Sequence, residues 1–499
     1  MNKGAISSKL LLLLIGVLLL IVVLYFDTQQ GDMKEEPVID SEEQYEEVTP
    51  KMEEPLHISN KIRVLIKTNG YAGNYHSDAT FICDAPMTVT LDGVSNELPA
   101  GHEISMKNLS NACHGFDKVS LCAMEDVPIK LSSIRRTQGI PAYCGSFDVY
   151  ETPNGFVVVN EVLLEEYLYS VVTSEMPSEY PIEALKAQAI CARSYAARQM
   201  NHPAYQEYEA DVDDSNAYQV YNNIGETQEA REAVTQTKGI VAYYQQDIAN
   251  TYYFSTSCGM TTNDEVWRNT VGYVAQSMPY LKAKSVGNAY IEAGAMSKSY
   301  HDELEFNNFI HQKQETDYEC EEPWYRWKAV IYPQELKQIG NRLKEREAVN
   351  PGLVFLASGN EETKLPEELG RLEDLKIVHR NEGGLLDEIC LVFEKCEVCV
   401  KTEYNIRYIL ADETVKVTKQ DGSEAICANL LPSAYFVSDL IRDKKDGILK
   451  EIHITGGGYG HGVGMSQNGA KIMAQNGMKY EDIMKFYYEG ITLGLAYEE

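Results

Sequence analysis

The pattern of apolar and polar positions changes character several times along the chain. Leu10 to Phe26 is an unbroken apolar run, LLLLLIGVLLLIVVLYF, with Lys3 and Lys9 ahead of it and acid behind it. At the helical rise it covers roughly 25 Å, enough to reach across a bilayer core with slight thinning. Lysines on the short leading side predict an N-in, C-out single-pass anchor. The competing reading is a cleaved signal peptide, but no small-x-small site follows the run. Either way, the remainder is expected outside the cytoplasm. From Lys61 onward, period-two patterns take over. KIRVLIK, FICDAPMTVTLDG and SFDVYETPNGFVVVN read as strands joined by Gly, Pro and Asn turns, with Asn154-Gly155 supplying positive φ in a hairpin.

The period then lengthens. EALKAQAICARSYAARQM contains no Gly or Pro and follows Pro181, which suits a first helical turn. Leu185, Ala189, Ala192 and Ala196 line one stripe, and the alanines let a neighbour approach closely. Beyond residue 210, IVAYYQQ and IANTYYFSTSC read as paired strands. PQELKQIGNRLKERE is a helical candidate, the stretch near 358–370 a surface loop, and 386–412 strands again. At the C-terminus a Gly-rich turn (456–464) precedes two short helices, Ser466 capping the first and Asn476-Gly477 stopping it. There is no repeat of solenoid period. The expected fold class is α+β: a β-rich globular unit with a helical catalytic segment, a C-terminal Gly-rich turn and one N-terminal transmembrane helix. The expected divisions are 1–26 (cytoplasmic end and anchor), 27–57 (tether), 58–144 (β-rich N-terminal part) and 145–499 (catalytic unit, with an additional segment around 284–380).

Composition refines this picture in two places. Of the net charge of −31, Asp27–Pro55 carries −9, from eleven acids and two lysines, and it includes three prolines. Such a stretch repels itself and reads as a solvated, disordered tether. The acidic balance disfavours nucleic acid as a partner. Eleven cysteines leave at least one unpaired within the chain. Cys396-Glu-Val-Cys399 with Cys390 upstream has a metal-like spacing, yet it sits in a strand-like segment without a second CxxC or HxxxH. Buried thiols or a disulfide are the better reading.

Three stretches carry candidate chemistry. In EYLYSVVTSEMPSEYPIEALKAQAICARSYA, Glu175 lies between Val171-Val172 and Met176-Pro177, apolar flanks that can desolvate a carboxyl and raise its pKa. Lys186 and Arg193 are seven residues apart and share a helix face, as substrate contacts or as ordinary surface cations. In GGGYGHGVGMSQNGA, six of the nine residues 456–464 are glycine. No nucleotide-binding pattern is present. His461, without bulky immediate neighbours, is open to a substrate or carboxylate, or simply hydrogen-bonds within a tight turn. In YYFSTSCGMTTNDEVW, Cys258 follows Ser257 and could pair with His461 as a nucleophile, but no cysteine-protease signature surrounds it.

The first two stretches, in this order and separation, resemble the paired signatures of the stage II sporulation protein D (SpoIID)/LytB family, over about residues 145–493. The resemblance implies a lytic transglycosylase acting on peptidoglycan glycan strands stripped of stem peptides, in sporulation or engulfment. It implies Glu175 as the catalytic acid, and Lys186, Arg193, Ser257, Cys258, His461 and Gln467 as substrate-binding. Cations close to Glu175 would lower its pKa, so Lys186 and Arg193 are expected to meet substrate away from the carboxyl. Some members carry a Cys-x4-His-Cys zinc motif. The comparable stretch here, ADVDDSNAYQVYNN, has neither residue type, so no metal and no cofactor are expected. The LytB branch implies the alternative, a non-catalytic glycan-binding enhancer or scaffold of a cell-wall amidase.

Overall fold

The computed structural model describes residues 59–267, 278–287, 299–358 and 364–497. The chain divides into Met1–Glu54 and Pro55–Glu499, and the described residues belong to the second unit. The Leu10–Phe26 run and the tether lie outside them. None of the described helices is long and apolar enough to cross a membrane. The architecture is mixed α+β, with six sheets among the described residues.

The largest sheet has seven strands. In chain order they are β1 (Lys61–Ile66), β2 (Met87–Leu91), β3 (Val94–Leu98), β4 (Lys118–Ala123), β5 (Ser146–Thr152), β6 (Gly155–Leu163) and β7 (Val212–Asp213), arranged β7-β1-β6-β5-β4-β2-β3. Strands from both sides of residue 145 therefore share one sheet. β6, GFVVVNEVL, is apolar on both faces and buried from Phe156 to Asn160, as a central strand must be. It forms the expected hairpin with β5, but the positive φ falls on Gly155 (130°) and not on Asn154. A Cβ at Gly155 would also meet the His76 carbonyl oxygen at 2.5 Å.

β6 runs directly into α1 (Leu164–Glu175), whose first turn carries Glu165 and Glu166 at the positive end of the helix dipole. Pro177 disfavours helical geometry at the residue before it. Met176 is accordingly extended (φ −134°, ψ 134°) and α1 ends on Glu175. α2 (Ile182–Met200) starts one residue after Pro181, which acts as its N-cap residue. Its alanines 184, 187, 189, 192, 196 and 197 are fully buried. That small-residue surface lets α2 pack against α1, α3 (Gln228–Gln236) and two C-terminal helices.

β8 (Ile240–Tyr244) forms only a two-residue hairpin with Asp247–Ile248; its longer partner is Thr492–Leu495. The expected pairing with the IANTYYFSTSC segment holds at its start, with Ile248 opposite Tyr243 and the Ala249 N–H donating to the Ala242 carbonyl oxygen at 2.9 Å, and goes no further. β9 (Tyr253–Phe254) instead runs parallel to β10 (Met465–Ser466). That pairing depends on Gly464, whose φ is +75° and where a Cβ would lie 2.0 Å from the Tyr252 carbonyl oxygen. Ser466 caps α4 (Gln467–Gln475) by accepting the Gly469 N–H, and Gly477 (φ 89°) stands after its end, as expected; α5 (Tyr480–Tyr487) follows.

Between β9 and β10 lie a five-stranded and a four-stranded sheet. The expected helix in 333–347 is present as Ile339–Val349, after a single turn at Pro333–Glu335. The expected strands over 386–412 hold for Leu386–Phe393 and Glu397–Lys401, but Glu403–Ile409 is helical. Part of the loop near 358–370 lies outside the described residues. Cys390 and Cys399, directly opposite on the two strands, form a disulfide.

Candidate active site

The end of α1, the 210–223 stretch, β9 and the start of α4 converge on Glu175. One carboxylate oxygen accepts the Val220 N–H at 2.9 Å, and the Tyr253 hydroxyl donates to the same carboxyl. Burial raises the Glu175 pKa to about 7 against those two bonds, which favour the charged form. No lysine or arginine is among its hydrogen-bond or ion-pair partners in the described residues. The carboxyl is thus part protonated and part ionised near neutral pH, as an acid that must later act as a base requires.

A second layer sets the Tyr253 hydroxyl. The Gln219 side-chain amide donates to it at 3.2 Å, and the Gln219 amide oxygen accepts the buried Tyr167 hydroxyl at 3.2 Å. Gln219 and Val220 both come from ADVDDSNAYQVYNN, so this stretch supplies hydrogen bonds to the site. Gln467 donates from its amide to the Glu175 carbonyl oxygen at 3.0 Å and to the Gln188 amide oxygen at 3.4 Å. It braces the end of α1.

His461 does not meet the carboxylate. Its Nδ1 accepts the Val463 N–H at 3.1 Å, which assigns the proton to Nε2; that nitrogen donates to the Tyr253 carbonyl oxygen at 3.0 Å. Burial pushes its pKa down to about 4, so the ring is neutral between Phe254 and Trp267. Its role here is to hold the strand that carries Tyr253. The glycines around it allow this: Gly458, Gly460, Gly462 and Gly464 all have positive φ.

The remaining expected residues sit elsewhere. Arg193 is fully buried, neither a surface cation nor open to a ligand. Its Nε and Nη2 form a two-pronged pair with Glu165 at 2.8 and 2.7 Å, and the other donors reach Thr237 and the carbonyls of Val234 and Ile240. Lys186 pairs with Glu183 at 3.0 Å and lies over the Tyr480 ring. Ser257 is buried, and both its N–H (2.8 Å) and its hydroxyl donate to Glu319. Cys258 is fully buried, its thiol pushed up to about 12 by desolvation, and its partner His461 is occupied by backbone; the nucleophile reading is corrected.

Sequence reasoning missed Tyr253, Gln219, Val220 and Glu319. Tyr253 stood in a quoted motif, YYFSTSC, but a tyrosine there has no pattern of its own, and a backbone N–H such as that of Val220 has none anywhere. Glu319 accepts from Ser257 and, at 2.6 Å, from the Ser466 hydroxyl, and burial raises it to about 7. Glu388, Cys390 and Cys399 make the one cluster of three potential metal ligands among the described residues, and its two sulfurs are joined in the disulfide.

Residues 152–244 match the stage II sporulation protein (SpoIID) family, and residues 264–464 match a domain of unknown function, DUF8618. The chain is 29% identical over 330 residues to an amidase enhancer of Bacillus subtilis (strain 168), covering 65% of this chain and 40% of that protein. It is 26% identical over 366 residues to stage II sporulation protein D of the same organism, covering 70% of this chain and 79% of that protein. It is also 27% identical over 354 residues to an uncharacterized protein of Brachyspira hyodysenteriae (strain ATCC 49526 / WA1), covering 70% and 72%.

Proposed function

We propose, from the premise that this chain carries a SpoIID-family domain and so has a cell-wall role, that it is a lytic transglycosylase of peptide-stripped peptidoglycan glycan strands. The observation that carries the reading is the Glu175 carboxyl, half-buried, without a cationic partner among the described residues and raised to about 7 by desolvation. In its neutral form Glu175 protonates the bridging oxygen as the C1–O bond breaks. The resulting carboxylate then takes the proton of the sugar's 6-hydroxyl as that oxygen bonds to C1. The proton returns to Glu175, a 1,6-anhydro ring closes, and no water is consumed. Tyr253 and the Val220 N–H hold the carboxyl through both steps. Lys186 pairs with Glu183 and Arg193 with Glu165, so neither cation holds down the Glu175 pKa.

On this reading Leu10–Phe26 anchors the chain in the membrane and the bulk lies outside the cytoplasm. The Cys390–Cys399 disulfide supports such an oxidising setting. A second reading, enhancement of a cell-wall amidase without catalysis, is favoured by the name of the Bacillus subtilis relative. Incubation with amidase-treated glycan strands, followed by mass spectrometry, separates the two. Catalysis yields 1,6-anhydromuramyl ends that fall by about a thousandfold or more in Glu175→Gln and persist in Cys258→Ala. Strand binding without new ends would favour the enhancer, and ends that survive Glu175→Gln would remove Glu175 from the mechanism.

A further inference from the structure

A cavity of about 370 Å³ opens at the C-terminal end of α2, lined by Arg198, Tyr244, Asp247, Met278 and Tyr280 among others. It stands apart from Glu175. Gln188, which shares the Gln467 amide with the Glu175 carbonyl, precedes Arg198 by about 15 Å of helix. Gln188, Tyr195 and Arg198 follow one stripe of α2, at i, i+7 and i+10.

Aromatic side chains connect the two places. The Tyr195 hydroxyl lies within electrostatic reach of both Glu175 and Tyr252, and the Tyr195 and Tyr252 rings are 5.9 Å apart. Tyr252 is in turn within reach of Arg198 and Tyr280. Tyr280 is buried behind the part-exposed Tyr244 ring, at 5.0 Å. The Tyr280 hydroxyl is fixed by the Asn250 N–H at 2.8 Å, and the Asn250 amide nitrogen by Met278 Sδ at 3.6 Å. The Asn250 amide oxygen is buried with no hydrogen-bond partner among the described residues, beside a residue that lines the cavity. Tyr244 is therefore a supported platform, flanked by the Asp247 carboxylate and by Arg198, whose Nη1 donates to the Ile248 carbonyl oxygen at 2.9 Å.

A pyranose ring has an apolar C–H face that packs on an aromatic ring and an edge of hydroxyl and amide groups that need hydrogen-bond partners. The cavity offers both kinds of surface in similar measure, and Arg198 and Asp247 offset each other in charge. We propose that this cavity is a distal subsite for an N-acetylated pyranose of the strand on which Glu175 acts, with Tyr244 as stacking platform and Arg198 and Asp247 as hydrogen-bond partners. The inference rests on the glycan reading above and deepens it: the enzyme grips the strand several rings from the cleaved bond and so selects for length.

The test uses the full chain with Glu175→Gln, which binds without cleaving, and two probes, chitotriose and chitohexaose, followed by calorimetry. The hexamer is expected to bind about tenfold or more tightly than the trimer. Adding Tyr244→Ala should close that gap and Tyr244→Phe should keep it. If Tyr244→Ala does not fold, Arg198→Gln reads the same gap and should narrow it. Equal binding of the two probes, no binding of either, or a gap indifferent to these substitutions overturns the subsite. Cleavage of strands by the wild-type chain without a length gap would overturn the subsite alone. A Tyr244-dependent gap without any cleavage would overturn the transglycosylase reading alone.

Discussion

At the scale of single residues, the Glu175 carboxyl is pulled two ways, up in pKa by desolvation and down by the Val220 N–H and the Tyr253 hydroxyl. Two consequences can be measured. Tyr253→Phe deletes a bond that favours the ionised form, so the pKa of Glu175 should rise. The alkaline limb of the pH–rate profile should then move to higher pH, with a loss of about three- to tenfold in kcat. The second consequence concerns stability. Because the pKa rises from 4.5 to about 7 on folding, the folded chain holds this proton more tightly between those values. Its contribution to stability is whole below about pH 4.5 and is lost as pH rises through about 7. Glu175→Gln avoids that loss. It should match wild type in urea denaturation at pH 4 and exceed it at pH 8 by on the order of 1–3 kcal/mol.

At the scale of elements, much of the scaffold was legible. The end of α1 before Pro177, the start of α2 at Pro181 and the Ser466 cap all follow from local backbone chemistry that acts over three or four residues. What joins these elements was not legible, because it depends on pairings between distant segments. Tyr253 reaches Glu175 because β9 pairs with β10, more than two hundred residues later in sequence. Arg193 shows the same limit from the other side: its spacing from Lys186 is that of a shared helix face, but helices packed around α2 bury one residue of the pair and leave the other at a charged edge. Arg193 should therefore behave as an internal tie between α1, α2, α3 and β8. Arg193→Ala leaves Glu165 without its cationic partner, with only the Gly239 N–H and the Tyr497 hydroxyl still donating to it, and should cost about 3–5 kcal/mol in denaturant unfolding. Arg193→Lys should recover only part of it, since an ammonium cannot reproduce the fork. A variant that folds normally yet loses glycan affinity would return Arg193 to the substrate.

For the molecule as a whole, the region between β9 and β10 bears on the site through Glu319, which ties Ser257 to Ser466 and so holds together the two segments that carry Tyr253 and Gln467. The same region holds the Cys390–Cys399 bridge. Replacing both cysteines by serine should lower stability by about 2–3 kcal/mol, as the closure of so short a loop implies, without altering the pH profile of activity. Loss of activity at retained stability would show that the bridge serves the site directly. The central claim is that a single carboxyl, Glu175, cleaves the strand by intramolecular ring closure. It is tested most directly by cleaving peptide-free glycan strands in water enriched in heavy oxygen and weighing the new ends. Anhydro ends free of the label, absent with Glu175→Gln, are the predicted result; labelled reducing ends, or anhydro ends that persist in Glu175→Gln, would contradict it.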